Sequence, residues 1–405
     1  MFLTHLALTN FRNYAQLDLD LESGVTLVQG GNACGKTSLL ESIFYLATSR
    51  STHAGSDREL IRWGASDDPL PFARVQSEVV KRGDLHTQLE IVLMPAEEKK
   101  NGVNAKSNGR VSKRIKVNGA PKRAIDLLGE LTAVLFLPED LNLVFGSPSD
   151  RRRYLDITLS QIDPRYGRAL SRYSQVVDQR NFLLREFRDR AYNHAELAVW
   201  DRQLVEHGTY ITARRAETID RYNLIVADIH ARLTDQAESL QLIYQPSVDF
   251  NGTTQPTGVK EHRIAVVSQR FGHQIVALRD RELAAATTLV GPHRDEIRFL
   301  ITRNHDEMPI DATTYASRGQ GRTVALSLKL AEVALMKGET GEDPVLLLDD
   351  VMSELDIDRR VALAQVVIES PQAIVTTTDL GEFSPAFLDR ARVLSVCRGE
   401  VEKLS

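Results

Sequence analysis

Eight consecutive residues, Gly30-Gly31-Asn32-Ala33-Cys34-Gly35-Lys36-Thr37, combine glycines with a lysine and a hydroxyl at the spacing G-x-x-x-x-G-K-T, which cradles a phosphate chain. The glycines let backbone N–H groups curl around phosphate oxygens. A helix starting at the lysine adds the partial positive charge of its N-terminus. Lys36 would reach the β- and γ-phosphates of ATP, and the Thr37 hydroxyl would meet Mg²⁺. Ser38 belongs to the helix start, and Cys34 reads as a small tolerated loop residue or a redox-sensitive one.

A second group of acids suits the same chemistry. Pro344-Val345-Leu346-Leu347-Leu348-Asp349-Asp350 is an apolar run ending in two carboxylates, as a parallel strand buried on both faces would be. Asp349 can complete the Mg²⁺ shell, and Asp350 can orient or deprotonate an attacking water. Before this run lies Tyr315-Ala316-Ser317-Arg318-Gly319-Gln320-Gly321-Arg322. Ser317 and the backbone at Gly319 can grip a γ-phosphate at another helix N-terminus, and Ser317 equally satisfies an N-cap on a helix over 319–337. Ser353-Glu354-Leu355-Asp356 follows the acid pair.

These residues need positioning elements. Met1–Leu21 alternates as two short strands with a turn at Asn13, and Val25–Gln29 is a strand leading into the phosphate loop. Leu39, Leu40, Ile43, Phe44 and Leu46 mark one face of the next helix, and 72–94 reads as sheet. Residues 150 to about 240 carry apolar positions at helical spacing and predict two or three long helices. Pro and Gly at 244–262 break that pattern, and a helix over 261–285 returns the chain. Strands and helices alternate after Thr288. Some 300 residues separate Lys36 from Asp349. The expected fold is therefore α/β, a P-loop ATPase head built from 1–156 and 286–405 and interrupted by a helical lid at 157–285.

Composition limits the partners. The 405 residues are 42% hydrophobic and carry net charge -5, which excludes both a wholly disordered chain and a globally basic nucleic-acid binder. Two cysteines cannot build a disulfide framework and suit a reducing compartment. No apolar run is long enough for a membrane span, and the N-terminus lacks a leader pattern, so a cytoplasmic location and no membrane contact are expected. Local basic stretches remain. Nine cations lie between Lys99 and Arg123 with no acid among them, around a hairpin tip at 101–109, and Arg151, Arg152 and Arg153 are consecutive. Each stretch can face DNA or form a solvated face, and the three arginines can instead pair with Asp150 and Asp156. Tyr14 can stack on adenine or sit at a strand edge. His293 can contact phosphate or be structural, and Arg294 can meet phosphate or an adjacent acid.

The segment around Ser317 resembles the signature of ABC-type ATPases, and Ser353–Asp356 resembles their D-loop. A closer resemblance is to the RecF family, bacterial DNA repair ATPases related to the SMC proteins. It is carried by Asn10-Phe11-Arg12-Asn13-Tyr14, the loop 30–38, Leu137–Leu141, Gly146–Asp156, Gln179-Arg180-Asn181, Trp200-Asp201, Gly291-Pro292-His293-Arg294-Asp295, the Ser317 segment, and Leu346–Asp356. The resemblance implies an ABC-type head, binding of ATP and Mg²⁺, and an ATP-dependent homodimer in which Ser317, Gly319 and Gln320 face the partner's nucleotide. It implies binding of single-stranded, gapped or junction DNA, work with RecR and RecO, and slow DNA-stimulated hydrolysis. It places Arg12 and Asn13 near the nucleotide.

Pro138-Glu139-Asp140 stands where related ATPases carry a Q-loop glutamine, and Thr376-Thr377-Thr378-Asp379 where transporters carry a histidine. The missing glutamine argues against Mg²⁺ sensing by that residue. The missing histidine and the size of the helical insertion disfavour a transporter ATPase subunit, and the insertion is too short for the arm of an SMC-type structural head.

Overall fold

The structure is a computed structural model that describes residues 1–64, 72–100, 103–188, 190–250, 260–304 and 308–403; the side chains of 96–110 and 260–262 lie outside the described residues. Its contacts divide the chain into two units, Met1–Asp140 with Glu332–Ser405, and Leu141–Ala331.

The first unit begins with β1 (Phe2–Phe11), β2 (Tyr14–Asp20) and β3 (Gly24–Gln29), followed by α1 (Lys36–Thr48). Strands β4 (Ala73–Lys81), β5 (Leu85–Lys100), β6 (Val103–Val117) and β7 (Ala120–Lys122) join β1 and β2 in an antiparallel sheet of order β2-β1-β4-β5-β6-β7. In β1, Leu3, Leu6, Leu8 and Phe11 are buried, and a register shift between Leu3 and His5 breaks the simple alternation. Then comes β8 (Ala133–Phe136).

The second unit holds α2 (Leu141–Phe145), α3 (Pro148–Ile162), α4 (Pro164–Glu186) and α5 (His194–Leu233). Prolines at 148 and 164 occupy first helical positions, where a missing N–H costs nothing. Asp163 accepts the amides of Arg165 and Tyr166, so the long helical pattern is cut between α3 and α4. At 40 residues, α5 extends about 60 Å. After β9 (Glu238–Gln245) come α6 (Lys260–Ala277), α7 (Arg279–Ala285), β10 (Glu296–Arg303), β11 (Ile310–Asp311) and α8 (Ala312–Tyr315). The three strands form a sheet of order β11-β10-β9, which packs against α5 through β9. The sequence pattern missed β9, whose strand lies just ahead of the Pro/Gly break.

Helix α9 (Arg318–Thr340) is followed in the first unit by β12 (Val345–Asp349), α10 (Ile357–Glu369), β13 (Gln372–Thr377), α11 (Pro385–Leu388), β14 (Ala391–Cys397) and β15 (Glu400–Lys403). Their sheet has the order β15-β14-β3-β13-β12-β8, parallel except for β15. Both neighbours of β12 are parallel strands, and Val345 to Leu348 are fully buried, as the continuous apolar run predicts. Helix α1 contacts strands of both sheets, so Glu41, Ser42, Tyr45 and Thr48 are buried along with the apolar face read from the sequence. A helix between two sheets is covered all round.

Candidate nucleotide site

Strand β3 ends at Gln29, and residues 30–35 turn the chain into α1. Gly35 takes φ 116°, and a Cβ there would stand 2.4 Å from Asn13 Nδ2 and 3.0 Å from the Tyr14 hydroxyl. A Cβ on Gly30 would meet the Val396 carbonyl at 2.5 Å. Both positions therefore require glycine. Helix α1 has no side-chain cap and no acid in its first turn, so its N-terminal amides and dipole face an anion unopposed. Gly31, Asn32 and Ala33 are exposed, and Cys34 and Ser38 are half-buried.

Lys36 lies along the inside of the loop, donating to the carbonyls of Gly30 at 2.6 Å and Gly31 at 3.1 Å. Thr37 donates its hydroxyl to Asp349 Oδ2 at 2.6 Å, and Thr376 donates to Asp349 Oδ1 at 2.7 Å. The register of three adjacent parallel strands, β3, β13 and β12, places these groups together. Thr37 and Asp349 are hard oxygen donors of the kind Mg²⁺ prefers. Among the described residues no cluster of three His, Cys, Asp or Glu forms a metal site by itself. Burial raises the Asp350 carboxyl above its usual range, Lys36 opposes that, and Asp349 and Glu354 reinforce it. Asp350 Oδ1 is buried without a hydrogen-bond partner, which suits a group kept for an incoming water.

The turn at 12–14 braces the loop. Asn13 Nδ2 donates to the Cys34 carbonyl at 3.0 Å, and the buried Tyr14 hydroxyl donates to the Gly35 carbonyl at 2.9 Å. Tyr14 opens the edge strand β2, as one sequence reading has it, and being buried it is no stacking platform. Arg12 makes a two-pronged pair with Glu41 at 2.7 and 2.9 Å, and Ser51 also donates to Glu41. Those bonds hold the buried Glu41 carboxyl below its usual range although burial, the largest influence, pushes it up. Glu41, Ser51 and Thr376 were missed in the sequence. Glu41 sits inside what reads as an apolar helix, and the threonine run drew notice only for lacking a histidine.

In the second unit, Ser317 and Gln320 form a reciprocal cap. Ser317 Oγ accepts the Gln320 amide at 3.2 Å, and Gln320 Oε1 accepts the Ser317 amide at 3.0 Å. Gln320 Nε2 also donates to Glu238 at 2.6 Å. The segment Ser317–Gly319 remains exposed, with Tyr315 71% exposed beside it.

Several basic residues turn out to be structural. Arg151 is buried in a two-pronged pair with Glu296, both contacts 2.8 Å, and Arg152 donates to the Asp295 carbonyl at 2.7 Å. Arg151 therefore faces no DNA, and its partner is neither Asp150 nor Asp156. Asp295 is wholly buried against Arg215 at 2.8 Å and Tyr244. His293 contacts the Tyr173 hydroxyl at 2.6 Å, and burial lowers its pKa to about 4. Arg294 donates to the Thr288 carbonyl rather than to an adjacent acid. Of the 99–123 cations, Lys113 turns inward to Asp57 at 3.0 Å and to the Tyr45 ring, Lys116 pairs with Glu90, and Arg123 with Asp126. The side chains of Lys99, Lys100, Lys106 and Arg110 lie outside the described residues.

A phosphate loop, an aspartate-terminated parallel strand and a capped serine–glycine–glutamine segment define the head of an SMC/ABC-type P-loop ATPase. The family model for the RecF/RecN/SMC N-terminal domain matches residues 2–399. The chain is 44% identical to the DNA replication and repair protein RecF of Roseiflexus castenholzii, over 97% of each chain, and 43% identical to that of Chloroflexus aurantiacus, over 99% of each. A solved structure of the recombination mediator protein RecF with ATPrS, in the RecFOR pathway, superposes with TM-score 0.83 at 31% identity, covering 100% of this chain and 98% of that one. The SMC head domain of Pyrococcus furiosus shares the fold, with TM-score 0.51 at 17% identity over 100% of this chain and 96% of that one. The chain belongs to the RecF family of DNA replication and repair proteins.

Proposed function

We propose that this chain is an ATP-dependent DNA-binding protein of replication and repair, which dimerises on ATP, binds single-stranded and gapped DNA, and helps load recombinase with RecO- and RecR-like partners. The contact that carries the reading is Thr37 to Asp349 at 2.6 Å, since it brings a phosphate-loop hydroxyl and a distant carboxylate together. The open N-terminus of α1 and the two obligatory glycines fit a triphosphate; Thr37 and Asp349 fit Mg²⁺.

Bound Mg·ATP supplies a transferable phosphoryl group and the charge that organises it. The chain's residues do the rest. Lys36 exchanges the Gly30 and Gly31 carbonyls for phosphate oxygens, and Asp350 orients and deprotonates water. Thr376 holds Asp349 by a neutral hydroxyl, and Asp350, one methylene shorter than the glutamate usual in transporter-type ATPases, suits slow, DNA-stimulated turnover. The exposed Ser317–Gly319 segment and Gln320 close over the nucleotide of a second copy. In functional terms the head comprises 1–156 and 286–405, and the lid 157–285. Among the described residues no helix is long and apolar enough to cross a membrane, and a cytoplasmic location is part of the proposal.

Sedimentation velocity with and without ATP·Mg²⁺ tests the reading. Wild type should dimerise with nucleotide, and Ser317→Arg should stay monomeric while still binding ATP. A wild type that remains monomeric defeats closure by a second copy. Tight ATP binding by Lys36→Ala defeats the site itself.

A further inference from the structure

We propose that Arg58–Trp63 is a stacking site for single-stranded nucleic acid, with Trp63 as the base platform and Arg58 and Arg62 as its phosphate contacts. The proposal rests on the DNA-binding reading above and gives it a place on the molecule. Trp63 is 95% exposed, more than any other large apolar side chain described. An indole left in water forgoes the transfer free energy that ordinarily drives it inside.

The backbone beneath Trp63 is held. Arg62 N–H donates to the Asn10 carbonyl at 2.8 Å, Arg12 N–H donates to the Leu60 carbonyl at 2.8 Å, and Ile61 pairs with Phe11 in an antiparallel bridge. Leu60 is fully buried. The ring thus follows directly on residues fixed to the end of β1, so a ligand need not order the backbone that leads to it.

Charge decides the occupant. Arg58 is exposed and Arg62 half-buried, and among the described residues neither guanidinium has an ion-pair partner. The neighbouring acids are already engaged. Asp57 faces Lys113 at 3.0 Å and the Tyr45 hydroxyl at 2.9 Å, and Glu59 accepts from Ser56 Oγ at 3.1 Å and Gly55 N–H at 3.2 Å. One exposed aromatic ring in a segment with two available guanidiniums matches a strand whose bases stack and whose phosphates need counter-charge. A protein hot spot would instead sit within an apolar surround, which Arg58, Glu59, Arg62 and Gly64 do not supply.

The test uses the full chain and a fluorescently labelled oligothymidylate, with affinity read by anisotropy. Trp63→Ala should weaken binding roughly 5- to 150-fold, the range for losing one stacked base, and Trp63→Phe should keep most of the affinity. Arg58→Ala and Arg62→Ala should each lower the slope of log K against log salt by about 0.7. In a Trp200→Phe background, Trp63 emission should be quenched saturably. If wild type binds the oligonucleotide while Trp63→Ala binds as tightly and the emission does not move, the proposal is overturned and the surface is left for a protein partner. If wild type binds no oligonucleotide in any nucleotide state, the DNA-binding reading fails first and takes the proposal with it. The anisotropy comparison of Trp63→Ala with Trp63→Phe stands even if the Trp200 variant does not fold.

Discussion

The Thr376 hydroxyl donates to Asp349 Oδ1 at 2.7 Å and leaves Oδ2 to Thr37. Thr376 also accepts the Asp350 amide at 3.1 Å, so one buried hydroxyl sets the angle of both acids. Thr376→Val keeps the shape and removes the donor. A buried carboxylate oxygen without its hydrogen bond costs about 1–3 kcal/mol. Denaturant melts should show that loss, the KM for ATP·Mg²⁺ should rise, and Thr376→Ser should restore both. An unchanged KM would show that Asp349 needs no such orientation.

Asp350 titrates above 3.8, chiefly through burial. The native protein therefore holds a proton that the unfolded chain has released, so stability falls as pH rises through the window above 3.8 and then levels off. Asp350→Asn should flatten that part of the profile and melt higher than wild type at neutral pH. It should retain ATP-driven dimerisation and lose hydrolysis by roughly 10²–10⁴-fold. In wild type, turnover should rise with pH as this carboxyl ionises. Turnover that falls across the same range would exclude Asp350 as the base.

Arg151 is buried and pairs at 2.8 Å with the half-buried Glu296. Arg151→Ala removes the partner of a carboxylate that water still reaches, so it should cost about 1–3 kcal/mol. The salt dependence of DNA binding in the surviving folded fraction should not change. A salt slope lowered by this variant would return Arg151 to the DNA surface.

His293 has its pKa lowered from 6.5 to about 4, mainly by burial. Between those values the unfolded chain binds more protons than the native one. The His293 contribution to stability is therefore complete above pH 6.5 and is lost as pH falls toward 4. At 1.36 kcal/mol per pKa unit the effect is at most about 3 kcal/mol. Urea melts from pH 4 to 7 should show this slope in wild type and a shallower one in His293→Gln. Equal slopes would mean that His293 stays protonated in the fold.

Much of the candidate site is legible without coordinates because its parts are local. The glycines, Lys36 and Thr37 lie within eight residues, and turn geometry and helix polarity follow from adjacent residue types. The Pro344–Asp350 run likewise shows a strand buried on both faces. Legibility fails where the partner is remote. Glu41 is a lone acid in an apolar helix until Arg12 and Ser51 meet it, and Thr376 is one of three threonines until β13 lies beside β12. The basic runs mislead for the same reason. Arg151 and Lys113 look as available as any cation, and each is paired with an acid from a distant segment.

The sequence by itself determined the strands and helices around the nucleotide site, the phosphate-gripping loop, the acid pair and the long insertion between them, since each depends on periodicity or on residue types a few positions apart. Only the tertiary structure decided which charges are consumed and which are left to act. It spent Arg12, Lys113, Arg151 and Arg215 on internal acids, and left Arg58, Arg62 and Trp63 at the surface. The physical reason is that an ion pair or a buried face is a property of two segments, and strand register and helix packing, which bring the segments together, are set by the whole chain.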